Sequence, residues 1–71
     1  MSLEEVQRVA NGLIRKYDWH AENAGGQGIK VTVNDGSKFA SVYITTGENI
    51  ESEIQRAIEA CDNHEYGELE G

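Results

Sequence analysis

Seventy-one residues provide for one domain with a single core, near the size at which apolar burial only just outweighs chain entropy. A net charge of −7 repels nucleic-acid phosphates and anionic membranes, and no apolar run approaches the ~18 residues of a membrane span. With no basic-then-apolar leader pattern and a lone cysteine, Cys61, that has no disulfide partner, the expectation is a cytoplasmic protein touching neither membrane nor nucleic acid.

The charge is unevenly spread. Residues 1–45 balance five acids against five bases, whereas residues 46–71 set eight acids against Arg56 alone and so carry the whole imbalance. Such a field suits a basic protein surface.

In chain order, Ser2 to Tyr17 reads as a helix: Ser2 and Glu5 have capping-box spacing, and Val6, Val9, Ala10, Leu13 and Tyr17 recur at helical intervals. Gly12 weakens its interior as a tolerated imperfection. Residues 18–28, DWHAENAGGQG, read as a mobile connector rich in Asn, Gly and Gln.

Residues 29–45 then form a hairpin, because two β-rich runs meet at Asp35-Gly36, a strong two-residue turn signal. A loop of Asp35-Gly36, or of Asn34 to Ser37, sets Val33 opposite Lys38, Val31 opposite Ala40, Ile29 opposite Val42 and Gln27 opposite Ile44. One face collects Ile29, Val31, Val33, Ala40, Val42 and Ile44. The other holds Lys30, Thr32, Phe39, Ser41, Tyr43 and Thr45. A second amphipathic helix spans about 47–63, with Ile50, Ile54, Ala57, Ile58 and Cys61 inward and Glu48, Glu51, Gln55, Glu59 and Asp62 outward. The acidic tail, 64–71, has no period and is expected to fray.

The whole chain, 1–71, is thus one small α+β unit: a two-layer α-β-β-α arrangement with an antiparallel hairpin on two helices. A lone hairpin has two unpaired edges, so a homodimer is expected to complete the sheet, edge to edge or through stacked Phe39/Tyr43 faces. The rival is a monomer in which Trp19 and the connector fold over those aromatics.

The residues offer little chemistry. Gly25-Gly26-Gln27-Gly28 follows a helix and opens a strand, the reverse of a phosphate-binding loop. A metal could draw on Asp18, His20, Cys61, Asp62 and His64, although Cys61 falls on an apolar helix face and no second motif fixes the geometry. Aromatics on a sheet face suit base stacking, but only Lys30 and Lys38 flank them. No nucleophile sits on a recognisable turn. The expectation is a non-enzymatic interaction or regulatory module without cofactor. Phe39, Tyr43 and Trp19 would give apolar contact, and Glu48, Glu51, Glu59 and Asp62 would steer a basic partner. Two alternatives are a DNA-mimic-like inhibitor of phage or mobile-element origin, and a small metal- or ligand-binding protein.

Overall fold

The computed structural model describes residues 1–69; Glu70 and Gly71 lie outside the described residues. Helix α1 spans Leu3–Leu13 and starts on Ser2, whose Oγ accepts the Glu5 N–H at 3.2 Å. It ends four residues short of the expected Tyr17. Ile14 turns extended (φ −90°, ψ 103°) and buries its side chain to 5 % exposure, so the core takes Ile14 out of the helical path. Gly12 has no neighbour where a Cβ would stand, so no close approach explains it.

The expected connector is in fact a strand followed by a tight turn. Strand β1 spans Asp18–Asn23 and pairs antiparallel with β2, Ile29–Asp35, in the register Trp19↔Val33 and Ala21↔Val31. Between them, one 3₁₀ turn (Gly25–Gln27) is closed by the Ala24 N–H donating to the Gly28 carbonyl at 2.7 Å. Gly28 has φ +90°, and a Cβ there would fall 2.1 Å from the Ile44 carbonyl oxygen, so only glycine lets the two chain segments cross.

Strand β3, Lys38–Ile44, completes the predicted hairpin with a different register. Asp35 pairs with Lys38, Val33 with Ala40, Val31 with Val42 and Ile29 with Ile44, so the loop is Gly36-Ser37 and every expected partner is displaced by two. Gly36 (φ +74°) is the only central residue with positive φ, which fits Gly at the first position of a II′ turn rather than Asp-Gly in a I′ turn. A displacement of two preserves the faces. The six aliphatics therefore do share the core side, each no more than 4 % exposed.

Helix α2, Ile50–Asp62, is capped by Asn49, whose Oδ1 accepts the Ser52 N–H at 2.9 Å. At its far end the Glu65 N–H reaches the Ala60 carbonyl (2.7 Å) and the His64 N–H the Cys61 carbonyl (3.2 Å), a Schellman ending with His64 at φ +59°. Glycine usually occupies that place.

The tail does not fray over the described residues. Gly67–Glu68 form β4, parallel to β3, with the Leu69 N–H donating to the Ser41 carbonyl at 2.8 Å. The chain is thus a small α+β fold of two helices and a four-stranded mixed sheet ordered β1-β2-β3-β4. One core joins Val6 and Ala10 of α1, Ile54, Ala57, Ile58 and Cys61 of α2, and the aliphatic side of the sheet.

Candidate functional site

Strand pairing decides what the other side of the sheet displays. Asp18, His20 and Glu22 of β1 lie opposite Asn34, Thr32 and Lys30 of β2, and those lie opposite Phe39, Ser41 and Tyr43 of β3; all therefore share the face turned away from the core. Phe39 is 43 % exposed, an unusual state for a phenyl ring. Trp19 is not among them. It pairs with Val33 and packs partly buried against the core, so neither it nor its strand folds over Phe39 and Tyr43.

Glu68 reaches onto this face from β4. Its carboxylate accepts from Lys30 Nζ at 3.3 Å and from the Tyr43 hydroxyl at 3.1 Å, while Lys30 Nζ stands 5.7 Å from the Tyr43 ring centre. The Lys30 hydrogen bond, followed by that of Tyr43, holds the Glu68 carboxyl below its ordinary value; the same bond to Glu68 raises Lys30. Beside this trio the Ser41 hydroxyl is fully buried and has no hydrogen-bond partner among the described residues.

A second polar cluster gathers where α1, α2 and the β2–β3 turn meet. Tyr17 donates to Asp62 Oδ1 at 2.6 Å and Lys16 Nζ donates to the same oxygen at 2.9 Å. Tyr66 donates to Asp35 Oδ2 at 2.6 Å, with His64 Nδ1 2.9 Å from the phenol oxygen and Lys38 Nζ 5.3 Å from the ring centre. An open cleft of about 270 Å³ runs past Arg15, Lys16, Tyr17, Asp18, Asn34 and Asp35. Their carboxylate acceptors push both phenols up to about 12, and Lys16, then Tyr17, holds Asp62 below its usual range. These phenols stay protonated and Asp62 stays ionised near neutrality, so none of them is poised to exchange a proton there.

The metal candidates are not assembled. Among the described residues no three of His, Cys, Asp and Glu are grouped to hold an ion. His64 faces Tyr66, and His20 lies 3.9 Å from Glu22 in an exposed pair. Cys61 is 1 % exposed, its Sγ 3.5 Å from the Val33 carbonyl, and burial pushes its thiol up. The acidic stripe of α2 is also interrupted. Glu48 closes the turn before the helix by accepting from the Thr45 N–H (2.7 Å) and hydroxyl (2.6 Å), which lower its carboxyl, and Asp62 is bound as described; Glu51 and Glu59 stay exposed.

Sequence reasoning put Lys30 and Ser41 on one face with Phe39 and Tyr43 but missed the pairing of Lys30 with Glu68 and of Asp35 with Tyr66. No local signal was available, because β4 is two residues long and is placed by Tyr66 reaching Asp35 and Glu68 reaching Lys30. Comparison of the chain with protein-family models, with curated proteins and with solved structures finds no match in any of the three.

Proposed function

We propose that this chain is a non-enzymatic protein-interaction module that offers the open face of its sheet to a basic protein surface. The observation carrying this reading is Phe39, 43 % exposed on a face that also displays Tyr43. Aromatic side chains ringed by polar groups make effective anchors, because they bury large area at little entropic cost. Charge supports the choice of partner. Lys30 is already paired with Glu68, and Asp18 and Glu22, the latter 3.9 Å from His20, add two more carboxylates to the face in a chain of net −7.

A homodimer formed to complete the sheet has less support once both edges of the hairpin are paired. β1 covers the β2 edge and β4 part of the β3 edge. The Ala24–Gly28 bond turns the peptide groups of Asp18, His20 and Glu22 toward β2 and those of Trp19, Ala21 and Asn23 outward, yet Ala21 is only 5 % exposed. The outer edge of β1 is therefore not open at its middle.

The test compares immobilised wild type with Phe39→Ala and with Asp18→Asn/Glu22→Gln in cell extract, followed by titration of any retained protein in purified form. A basic partner lost on both variants and at high salt supports the reading. Retention that ignores Phe39 and salt overturns it.

A further inference from the structure

We infer that the segment Tyr66–Leu69 is an exchangeable strand, able to close β3 of a second copy of this chain as it closes its own. This does not depend on the open face meeting a basic partner, since neither Phe39 nor Asp18 and Glu22 take part.

The segment behaves as a docked peptide. Its hold on the sheet comes from the β3–β4 pairing of Gly67 and Glu68 with Ala40 and Ser41, Tyr66 on Asp35 (2.6 Å), Glu68 on Lys30 (3.3 Å) and Tyr43 (3.1 Å), and the Leu69 N–H on the Ser41 carbonyl (2.8 Å), with Tyr66 and Leu69 packed on the core. Every one of those partners lies on β2 or β3. One further contact, His64 Nδ1 2.9 Å from the Tyr66 phenol oxygen, belongs to the hinge and changes with it; the contacts on β2 and β3 form whichever copy supplies the segment.

The two arrangements differ at residues 63–65. Closing on its own sheet requires His64 at φ +59°, the only non-glycine residue with positive φ among those described. In the exchanged form His64 returns to ordinary right-handed backbone, α2 runs on, and the segment leaves its own β3 for that of a neighbour. Self-closure has the advantage of high effective concentration, and exchange has that of a relaxed hinge.

Charge reversal at the Lys30–Glu68 ion pair between segment and sheet tests this on full-length protein. In Lys30→Glu, and separately in Glu68→Lys, self-closure sets like charges together. In an equimolar mixture, exchange restores an opposite pair at both sites of a heterodimer. Light scattering on the mixture, refolded together from denaturant so that slow exchange cannot hide the product, is expected to show a doubling of mass absent from either variant alone. The chain carrying both changes restores the pair within itself and is expected to remain monomeric. Adding His64→Gly to both partners, which makes the left-handed hinge easy, is expected to reduce the heterodimer. Phe39→Ala in both is expected to leave it intact. A mixture that scatters as two separate monomers at high micromolar concentration overturns the inference while leaving the open-face reading untouched. Loss of the heterodimer on Phe39→Ala overturns it in favour of face-to-face contact. Both reversed residues lie on the solvent side of the sheet, and circular dichroism of each variant alone verifies that it folds; were either unfolded, Lys30→Gln with Glu68→Gln, compared with wild type for the effect of His64→Gly on mass, reads the same hinge, and no effect there overturns the inference.

Discussion

Ser41 is the residue whose environment conflicts with its chemistry. Its hydroxyl is fully buried without a partner among the described residues, and a buried polar group left unpaired costs about 1–3 kcal/mol. Ser41→Ala is therefore expected to raise stability by about 1 kcal/mol in urea denaturation; a loss of stability would show that the hydroxyl has a ligand to satisfy it. Gly28 makes the opposite case. Any side chain there meets the Ile44 carbonyl and must also adopt φ +90°, so Gly28→Ala is expected to cost at least about 2 kcal/mol in the same measurement. Gly12, with open space around its Cβ position, should respond the other way, and Gly12→Ala should gain about 0.5–1 kcal/mol.

Among the elements, those written in side-chain period were legible and those made by tertiary contact were not. β2 and β3 alternate Ile29, Val31, Val33 and Ala40, Val42, Ile44, and that alternation names the buried face whatever the turn. The turn lies one residue later than expected, which moves every pair by two, because Asp35-Gly36 and Gly36-Ser37 both satisfy hairpin chemistry; Asp35 stays in its strand, where its carboxylate receives Tyr66. β1 was hidden by composition. Asp18, Glu22 and Asn23 are poor strand formers, and only Trp19 and Ala21 mark its inner side. β4 has two residues, too few for any period, and exists because Glu68 and Leu69 find partners more than twenty residues away along the chain. The candidate site divides in the same way: Phe39 and Tyr43 follow from the hairpin, whereas Lys30, Glu68 and Ser41 become a unit only once β4 is docked.

For the molecule as a whole, the ion pairs define a pH window. Asp62, Glu68 and Glu48 are held below their ordinary values of 3.8, 4.5 and 4.5, so their contribution is present above those values and is lost as pH falls through the lower folded-state ones. Tyr17 and Tyr66, pushed up from 10.0 to about 12, and Lys30, raised above 10.5, contribute fully below their ordinary values and lose that contribution as pH rises through the raised ones. Asp62→Asn is accordingly expected to lower the thermal midpoint at pH 7, with the difference from wild type vanishing once both side chains are uncharged in acid. A variant as stable as wild type at pH 7 would remove Asp62 from this account.

The ladder bond from Leu69 to Ser41 also makes the Leu69 amide a reporter of the last strand. The amides of Val31, Val33, Ala40 and Val42 lie inside the three-stranded meander and give up deuterium only when the whole domain opens. That of Leu69 needs only the last strand to lift. Its exchange rate relative to theirs therefore counts how often the segment leaves the sheet, in unmodified protein, and a concentration dependence in that ratio would register a neighbour's segment taking its place.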